Sequence, residues 1–332
     1  MSNPFRAALL AGALLAACSP SAAPVFPPTL PPLSTATAFH PPTAIPVPST
    51  VPTGSPTPVR ILPDFGTIVV IVFENKEIST VIGNPDMPFF NSLARSYTLL
   101  AQHFTPAHPS LPNYLALIGG DTFGVHSNCE DCFVNAVSLP DLLEASGRTW
   151  KSYQEDMPSP CFTGSTLKYA QKHNPFIYFD PIRLDAARCE RSIVPLTQLA
   201  ADLQAGELPD FIFITPNLCN DAHDCALPVA DAWLQDWMGR LMPALDARNE
   251  PYLIILTWDE GQGDHSCCGL PASAGGRIAT VLVSRQVKRG YQDVTPYSHY
   301  SVLKTIAEAW GLPYLGHAAD PETALILAPF QP

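Results

Sequence analysis

Two strongly apolar segments, each followed directly by a pair of side chains that carry oxygen atoms, constrain the fold of this chain more than any other feature. Segments this apolar are typical of central strands in a parallel sheet, because such strands are buried on both faces. In open α/β sheets the functional crevice lies outside the carboxyl ends of the strands. The two polar pairs, although far apart in sequence, could therefore converge on one cation. The segments are Thr67–Phe73 (TIVVIVF), which runs into Glu74-Asn75, and Tyr252–Trp258 (YLIILTW), which runs into Asp259-Glu260.

The N-terminus predicts export. Residues 1–17 combine a positive charge at Arg6 with a short apolar stretch, Ala7–Ala17, which is far shorter than the roughly 20 residues needed to span a bilayer. The sequence Leu-Ala-Ala-Cys ending at Cys18 is similar to a bacterial lipobox, in which the cysteine is lipidated and becomes the new N-terminus. We predict a lipoprotein signal peptide at 1–17 and lipidation of Cys18. The alternative is an ordinary signal peptide cut nearby, with Cys18 lost or free.

Composition divides the rest of the chain into a spacer and a folded body. Pro, Ser, Thr and Ala dominate residues 18–63, and Arg60 is the first charged residue after Arg6. Such a segment cannot bury a core, so we predict a disordered, extended spacer. Residues 64–332 have the size of one large α/β domain. This layout predicts a cell-envelope lipoprotein anchored to the outer face of a membrane, or a secreted protein.

The charge balance argues against a nucleic-acid partner. The chain has 18 Lys and Arg residues against 30 Asp and Glu residues, a formal net charge of −12, without a cluster of basic residues. Proteins that bind nucleic acids gain much of their affinity by neutralising phosphates with basic side chains. We therefore expect partners of another kind.

The cysteines of the body predict disulfides, because an even number of cysteines in an exported chain is typical of a disulfide framework. The spacing suggests two loop-closing pairs but does not determine the pairing. A zinc site made from four of the cysteines is the alternative. The suggested pairs are Cys161 with Cys189 and Cys219 with Cys225, and the zinc alternative uses Cys129, Cys132, Cys267 and Cys268.

Alternating strand-like and helix-like segments predict an α/β fold, a three-layer sandwich whose central, mostly parallel sheet is covered by helices on both faces. The region from about 121 to 190 has many Cys, Pro and Gly residues and little periodicity, so we predict a long, disulfide-pinned excursion near the site. Besides the two apolar segments, the predicted strands are Thr149–Tyr153, Asp210–Thr215 and Ile278–Ser284. The predicted helices are Met87–Tyr97, Leu111–Ile118, Leu139–Ala145, Pro195–Leu203, Val229–Ala247 and His299–Trp310.

Ser110 lies directly before a predicted helix that has Pro112 in its first turn, where a missing N–H has no cost. Serine is also a favoured helix N-cap, which is the structural alternative. The same position suits a nucleophile, because a helix N-terminus offers free N–H groups and partial positive charge to an alkoxide and a phosphate.

A third polar cluster follows the predicted strand Asp210–Thr215. The loop Pro216–Cys225 contains two Asn, two Asp and one His residue. Asn and Asp are common in turns, and turn formation explains the Asn residues well and the His less well. The polar pairs and a serine hydroxyl are hard oxygen donors, which favour one divalent cation such as Ca²⁺, Mg²⁺ or Mn²⁺ over Zn²⁺. Such a cation would polarise a phosphoryl oxygen and lower the pKa of Ser110. Helix N-capping is the alternative for each acidic pair.

These residues together resemble a known family, the bacterial phosphoesterases that include acid phosphatases and phospholipases C, within the alkaline-phosphatase-like superfamily. The resemblance covers about Thr67–Leu312 and implies an alkaline-phosphatase-like fold. Six segments in the same order carry it. They are Glu74-Asn75, HPSLPNYLALIGG (His108–Gly120), NDAHDC (Asn220–Cys225), TWDEG (Thr257–Gly261), GGRIATVLVS (Gly275–Ser284) and HYSVLKTI (His299–Ile306).

The resemblance also implies roles for individual residues. It implies that Ser110 is the nucleophile, that His223 and Asp224 line the phosphate pocket, and that two strand-end pairs bind the metal together with the serine. It further suggests Asn113, His299 and His265 as substrate-binding residues. The implied metal ligands are Glu74, Asn75, Ser110, Asp259 and Glu260.

The function that follows is metal-dependent hydrolysis of phosphoric esters, most readily phosphomonoesters, through a covalent phosphoserine at Ser110, with His223 or water protonating the leaving alcohol. One departure bears on the substrate: phospholipase members usually have glycines followed by Tyr-Asp-His where this chain has GQGDHSCCGLP (Gly261–Pro271). A phosphodiesterase or phospholipase C acting on phospholipid head groups is the first alternative. An inactive binding lipoprotein is the second. The expected partners are a phosphorylated small molecule or phospholipid, and a membrane reached through the lipid anchor.

Overall fold

The two apolar segments form neighbouring strands at the centre of one sheet. The computed structural model describes residues 61–271 and 273–330. In these residues nine strands form one sheet, in which β1 (Thr67–Phe73) pairs in parallel with β5 (Phe211–Thr215) on one side and with β6 (Tyr252–Trp258) on the other. The strand β7 (Arg277–Val283) runs antiparallel to both of its neighbours. The other strand pairs of the described sheet are parallel, so the sheet is mostly parallel, as predicted.

The other strands extend the sheet on both sides of this centre. They are β2 (Thr98–Phe104), β3 (Trp150–Gln154), β4 (Ile193–Pro195), β8 (Tyr291–Asp293) and β9 (Tyr297–Ser298). The order across the sheet is β4-β3-β5-β1-β6-β7-β2-β8, and β9 also pairs with β2.

Every residue of β1 is buried, and successive side chains enter two different hydrophobic cores, as the two-residue period of a strand requires. Burial of each aliphatic side chain contributes about 1.5–3 kcal/mol to folding before conformational entropy is subtracted. Ile68, Val70 and Val72 belong to one core, and Val69, Ile71 and Phe73 belong to the other.

Helices cover both cores, which gives the predicted three-layer sandwich. The first core is covered by α3 (Ser110–Gly119), α4 (Leu139–Ala145), α5 (Asp180–Arg183), α6 (Ala186–Ser192) and α9 (His299–Trp310). The second core is covered by α1 (Ile78–Val81), α2 (Pro88–Ser96), α7 (Thr197–Ala205) and α8 (Leu227–Ala247). Short 3₁₀ turns lie at Gln171–His173, Pro175–Tyr178, Gly316–Ala319 and Ala328–Phe330.

The predicted strands and helices are present, with ends that shift by one or two residues. One seven-residue strand, β2, was not predicted, because its polar residues Gln102 and His103 interrupt the apolar pattern. His103 is nevertheless fully buried, which requires polar partners inside the sheet.

All eight cysteines of the body form disulfides, so the zinc alternative has no free thiols to use. The two suggested pairs, Cys161–Cys189 and Cys219–Cys225, are present. The other four cysteines pair with near neighbours, as Cys129–Cys132 and Cys267–Cys268.

The predictions for the N-terminal 60 residues lie outside the described part of the chain. These are the signal peptide, the lipidation of Cys18 and the spacer up to its last three residues. Among the described residues, the helices are too short or too polar to cross a membrane.

Candidate active site

The two polar pairs are neighbours in space, as the sequence suggested. Phe73 and Trp258 are paired residues at the ends of β1 and β6. The backbone N–H of Asp259 donates to the carbonyl of Phe73 at 2.8 Å, and the backbone N–H of Asn75 donates to Asp259 Oδ1 at 2.9 Å. The ladder therefore continues one residue beyond each strand and places Glu74 beside Asp259.

Asn75 turns the chain immediately after β1. Its φ angle of 57° lies in the left-handed region, which asparagine tolerates better than most residues. Its side-chain N–H donates to Glu74 Oε2 at 3.1 Å, while its side-chain oxygen has no hydrogen-bond donor among the described residues. Asn75 thus orients Glu74 and leaves an oxygen free for a cation.

Ser110 is the first residue of α3 and not its N-cap, so the capping alternative is not realised. The N-cap is Pro109, and the Ser110 hydroxyl instead donates to Glu74 Oε2 at 3.2 Å. One helical turn later, the Tyr114 hydroxyl donates to Glu74 Oε1 at 2.5 Å. Ser110 is only 1% exposed. The helix therefore fixes the serine and the tyrosine on one carboxylate.

The irregular segment from about 121 to 190 places His173 beside the Glu74 carboxylate. His173 Nε2 lies 3.2 Å from Glu74 Oε2, and His173 Nδ1 lies 3.3 Å from Asp221 Oδ2. Burial alone would lower the pKa of His173, but the charges of Glu74 and Asp221 and the hydrogen bonds to them together outweigh burial and raise it to about 9. Burial alone would raise the pKa of Glu74, but the charges of His173 and Lys172 and the hydrogen bonds from His173 and Tyr114 together bring it to about 2. Burial raises the pKa of Asp221, and the charge of Glu74 adds to this shift.

Lys172 links the serine to the His223 loop. Its Nζ lies 3.4 Å from Ser110 Oγ and 3.3 Å from His223 Nε2, while His223 Nδ1 lies 2.6 Å from Asp224 Oδ1. An ammonium group can only donate, so Nε2 accepts and Nδ1–H donates to Asp224. The Cys219–Cys225 disulfide closes this loop. Ser110, Lys172 and His223 therefore form one continuous polar row.

Glu260 anchors a third group of contacts. Its Oε2 lies 2.7 Å from His108 Nδ1 and 3.3 Å from Asn113 Nδ2. The hydrogen bond to Glu260 raises the pKa of His108 to about 9, despite the opposing effect of burial. Asn113 also bonds both the N–H and the carbonyl of Ala107. Asn113 thus holds the segment before Ser110, and its role toward substrate stays a prediction.

Buried negative charge accumulates on one side of the site. Burial raises the pKa of Asp259 well above its usual value, and the charges of Glu74 and Glu260 raise it further. Asp259 Oδ2 is buried and has no hydrogen-bond partner among the described residues. Three carboxylates that repel each other, with an unpaired buried oxygen, fit a divalent cation, because a cation would remove both costs.

Two sets of potential metal ligands share Glu74. The predicted set contains only oxygen donors. A second set, Glu74, His173 and Asp221, has ligand atoms within 4.8 Å of one another. The positive charge of His173 offsets one of the two carboxylates of the second set. Each set also leaves buried atoms without a hydrogen-bond partner among the described residues: Asp259 Oδ2 in the predicted set, and His173 Nε2 and Asp221 Oδ2 in the second. Both sets therefore fit a cation.

His299 lies behind Asp259 and away from solvent. Its Nε2–H donates to the carbonyl oxygen of Asp259 at 2.7 Å, and its Nδ1 lies 3.2 Å from His103 Nε2. Thr280 Oγ1 lies 2.7 Å from His103 Nδ1. Because a carbonyl only accepts, the proton positions follow: Thr280 donates to His103, and His103 donates to His299. Both nitrogens of His299 are thus used within the protein, and its role toward substrate stays a prediction.

His265 lies outside the cluster around Glu74. Its side chain is 70% exposed, and Nδ1 lies 3.7 Å from a carboxylate oxygen of Glu77. Glu77 in turn accepts hydrogen bonds from the backbone N–H groups of Gln262, Gly263 and Arg277. His265 therefore lies at the surface of a loop that Glu77 organises, and the structure does not bring it to Ser110.

Sequence analysis missed several residues of this site. Lys172 and His173 lie in the excursion, where no periodicity or motif marked them. Asp221 and His108 fell within recognised segments without an assigned role, and Tyr114 resembled an ordinary core residue. The one available signal was spacing, because Tyr114 follows Ser110 by one helical turn.

Comparisons with known proteins identify the family of the chain. A sequence profile described as the Phosphoesterase family matches residues 80–313. A phosphatidylinositol-3-phosphatase of Mycobacterium tuberculosis is 36% identical over 266 residues, which cover 78% of this chain and 81% of that protein. An acid phosphatase of Aspergillus fumigatus is 33% identical over 264 residues, which cover 76% and 56% respectively. A hemolytic phospholipase C of Pseudomonas aeruginosa is 24% identical over 291 residues, which cover 68% and 39%.

Solved structures confirm the predicted fold. A protein in the alkaline phosphatase superfamily from Vibrio parahaemolyticus superposes with a TM-score of 0.51 at 11% identity, covering 78% of this chain and 72% of that one. A phosphonate monoester hydrolase from Silicibacter pomeroyi gives a TM-score of 0.51 at 11% identity, covering 80% and 77%. At this identity the similarity concerns the fold alone.

Proposed function

The chain belongs to the Phosphoesterase family, and from this premise we propose that it hydrolyses phosphomonoesters through a covalent phosphoserine at Ser110. Membership makes it a phosphoric ester hydrolase. One observation carries the finer proposal: the buried Ser110 hydroxyl lies between the Glu74 carboxylate at 3.2 Å and the Lys172 ammonium at 3.4 Å. A serine placed between an acceptor for its proton and a cation beside its oxygen suits nucleophilic attack on a phosphoryl group.

The proposed reaction has two displacement steps. In the first, Ser110 Oγ forms a bond to phosphorus, its proton moves toward Glu74, and the bond from phosphorus to the leaving alcohol breaks. Water gives the departing oxygen a proton, or His223 does so after its Nε2 has taken the proton that Lys172 donates to it. In the second, a water oxygen attacks phosphorus and gives up a proton to His223 or to solvent, the Ser110 Oγ–phosphorus bond breaks to release inorganic phosphate, and Ser110 takes its proton back from Glu74. Lys172 stabilises the negative charge on the transferring group in both steps.

The residues that would hold a divalent cation are Glu74, Asn75, Asp259 and Glu260, together with the Ser110 hydroxyl. When bound there, the cation would lower the pKa of the serine and offset charge on the phosphoryl oxygens. Oxygen donors favour Mg²⁺, Mn²⁺ or Ca²⁺ over Zn²⁺. The unpaired Asp259 Oδ2 supports this proposal.

Charge supports a monoester as the preferred substrate. A phosphomonoester carries one more negative charge than a diester at neutral pH. Lys172 lies beside Ser110, and His223 lies beside Lys172, so a cation is available for the additional oxygen. The relative named as a phospholipase C covers the chain at lower identity than the relatives named as phosphatases. A diester substrate is therefore the second candidate.

The nucleophile is tested by replacing Ser110 with alanine. Ser110→Ala is expected to lower kcat for p-nitrophenyl phosphate by more than about a thousandfold while leaving the circular dichroism spectrum unchanged. Acid-quenched wild-type protein should carry one phosphate on Ser110 by mass spectrometry. The matched control is Ser96→Ala, an exposed residue at the end of α2. Wild-type turnover by Ser110→Ala would falsify the assignment.

The metal is tested by chelation and reconstitution. Protein dialysed against EDTA is expected to lose activity, and separate additions of Mg²⁺, Mn²⁺, Ca²⁺ and Zn²⁺ should identify the ion that restores it. Calorimetric binding of that ion should weaken in Asp259→Asn. Full activity in metal-free protein would remove the metal from the proposal.

Substrate preference is tested on Lys172. We expect Lys172→Met to lower kcat/KM for a monoester by about ten- to a hundredfold, the effect of a lost hydrogen bond between charged groups, and to affect a diester less. Lys168→Met is the control, because this lysine is exposed and pairs only with Asp156. Faster wild-type turnover of bis-p-nitrophenyl phosphate or phosphatidylcholine would favour the second candidate. Turnover of none of these compounds would leave a binding lipoprotein.

We also propose export and anchoring through Cys18. The lipobox-like sequence supports this proposal. In a bacterial host the wild-type protein should label with a palmitate analogue and fractionate with membranes. Cys18→Ser should be soluble, and an unlabelled wild-type protein would contradict the anchor.

A further inference from the structure

A cavity of about 580 Å³ adjoins the candidate active site at His108. His108 lines this cavity and also bonds Glu260, which belongs to the site, at 2.7 Å. The opposite wall includes the loop of the Cys267–Cys268 disulfide and the segment that follows α9. This volume falls within the range of about 300–1,000 Å³ that is typical of small-molecule pockets. The cavity therefore has room for the part of a substrate that leaves with its alcohol oxygen.

Tyr300 gives the cavity an unused hydrogen-bonding group. Its side chain is 6% exposed and lines the cavity, and its hydroxyl has no hydrogen-bond partner among the described residues. The ring packs against His317, with 5.0 Å between the ring centroids. The Tyr300 hydroxyl is accessible to solvent within the cavity, since it is absent from the buried, unpaired polar atoms of the described residues. It can therefore exchange a hydrogen bond to water for one to a ligand hydroxyl.

The rest of the lining indicates a neutral ligand rich in hydroxyl groups. Thr122, Thr323 and Glu322 supply hydroxyl and carboxylate oxygens. The Asp320 carboxylate already pairs with His317 at 2.7 Å. The described lining contains neither Lys nor Arg, so a second phosphate or a carboxylate would find histidines alone, namely His108, His126 and His317. His108 is already bonded to Glu260 and to the carbonyl of Gly263.

We propose that this cavity binds the leaving alcohol of the substrate and selects phosphomonoesters of polyhydroxylated alcohols, such as hexose phosphates. The inference rests on the proposed phosphomonoesterase activity. Tyr300 is its specificity-determining residue, because its free hydroxyl donates to a substrate hydroxyl that a simple alkyl phosphate lacks. A simple alkyl phosphate would leave polar groups of the cavity without a ligand partner, and this cost would lower its kcat/KM relative to that of a hexose phosphate.

The kinetic test compares glucose 6-phosphate with ethyl phosphate in the full-length enzyme. Wild-type protein is expected to show a kcat/KM at least about tenfold higher for the hexose phosphate, and Tyr300→Phe should lower this ratio by about five- to tenfold, the effect of one neutral hydrogen bond. Tyr314→Phe is the matched control, because Tyr314 is more exposed and its hydroxyl bonds Glu308 outside the cavity. An equal rate for both substrates, a ratio unchanged in Tyr300→Phe, or a preference for phosphocholine would overturn the proposal.

A binding measurement separates this inference from the proposed reaction. Free glucose, titrated into Ser110→Ala protein, should bind in the millimolar range by nuclear magnetic resonance, and the additional Tyr300→Phe change should weaken binding several-fold. If no phosphomonoester is hydrolysed but glucose binds in this manner, the reaction is wrong and the cavity assignment holds. If esters are hydrolysed and glucose does not bind, the cavity assignment is wrong.

Discussion

Two buried histidine sites lie near the ends of the central strands, and their surroundings give them opposite charge. His173 lies between the carboxylates of Glu74 and Asp221, and its pKa is raised to about 9. His299 contacts a carbonyl oxygen and His103, and burial lowers its pKa to about 4. Burial opposes the charged form at both sites, so the carboxylates alone account for the difference.

The comparison shows two ways of supporting an acidic cluster. His173 adds a positive charge that offsets one of its two neighbouring carboxylates. His299 holds the backbone of Asp259 without adding charge, so the negative potential around Asp259 is kept. A cation should therefore be attracted more strongly to the side of Asp259 than to the side of His173. The four predictions below test this division.

The largest effect is expected from removing the charged histidine. His173→Leu leaves Glu74 and Asp221 buried without a cation, so the free energy of unfolding at pH 8 should fall by about 3–5 kcal/mol. Urea denaturation in EDTA measures this change. His265→Leu, at an exposed position, should change stability by less than about 0.5 kcal/mol. A His173→Leu protein as stable as wild type would mean that His173 is neutral.

The free energy of unfolding should fall on both sides of about pH 6.5, with His173 contributing to the fall at higher pH and His299 to the fall at lower pH. Between about pH 6.5 and 9 the native state holds a proton on His173 that the unfolded state has lost, so stability falls as pH rises. Between about pH 6.5 and 4 the unfolded state protonates the histidine that is neutral in the native state, so stability falls as pH falls. Each histidine contributes about 3 kcal/mol over its range.

Variants test how much each histidine contributes to the fall in stability at high pH, the alkaline limb, and to the fall at low pH, the acidic limb. In metal-free protein, His173→Gln should reduce the alkaline limb, to which His108 also contributes, and keep the acidic limb. His299→Asn should reduce the acidic limb, to which the buried His103 also contributes, and keep the alkaline limb. Denaturation midpoints in urea between pH 4 and 9 provide the measurement. If both variants flattened the same limb, the two sites would not differ in charge.

A smaller effect is expected at the neutral site. His299→Leu removes the donor to the Asp259 carbonyl and leaves His103 without an acceptor, so the protein should lose about 2 kcal/mol. Because Asp259 loses its support, the affinity for the activating cation should also fall. His299→Asn, which retains a donor, should recover part of the affinity. Equal cation affinity in all three proteins would show that His299 supports the fold alone.

The smallest effect is expected at the far end of the same chain of hydrogen bonds. Thr280→Val keeps the side-chain volume and removes the hydroxyl that donates to His103, which should cost about 1 kcal/mol. The ¹⁵N chemical shifts of His103 should report a change of tautomer in this variant, whereas those of His173 should not change. Unchanged His103 shifts would contradict the assigned proton positions.

Local pattern was sufficient for the strands and helices with a clear period. The strands Thr67–Phe73 and Tyr252–Trp258 are present with the predicted bounds. The terminal helix His299–Trp310 is also present as predicted. The strand β2 had no such signal, because the polar residues in it are stabilised by partners from distant parts of the chain. Sequence pattern therefore predicted the elements whose burial is apolar.

The residues of the candidate site also fall into those that the sequence pattern marks and those that it does not mark. Glu74, Asp259 and Ser110 were recognisable, because they stand directly beside an apolar strand or a helix start. Lys172 and His173 were not, because they lie in irregular backbone whose path depends on packing and disulfides. Only the fold brings them to Ser110 and Glu74.

The sequence by itself determined which strands are buried and which polar residues stand at their ends, since both depend on the order of neighbouring residues. The tertiary structure decided the pairing of β1 with β6, and with it the distance between Glu74 and Asp259. It also decided the charge of each histidine. A histidine has the same sequence signature at either site, but its pKa depends on carboxylates that only folding brings within about 4 Å.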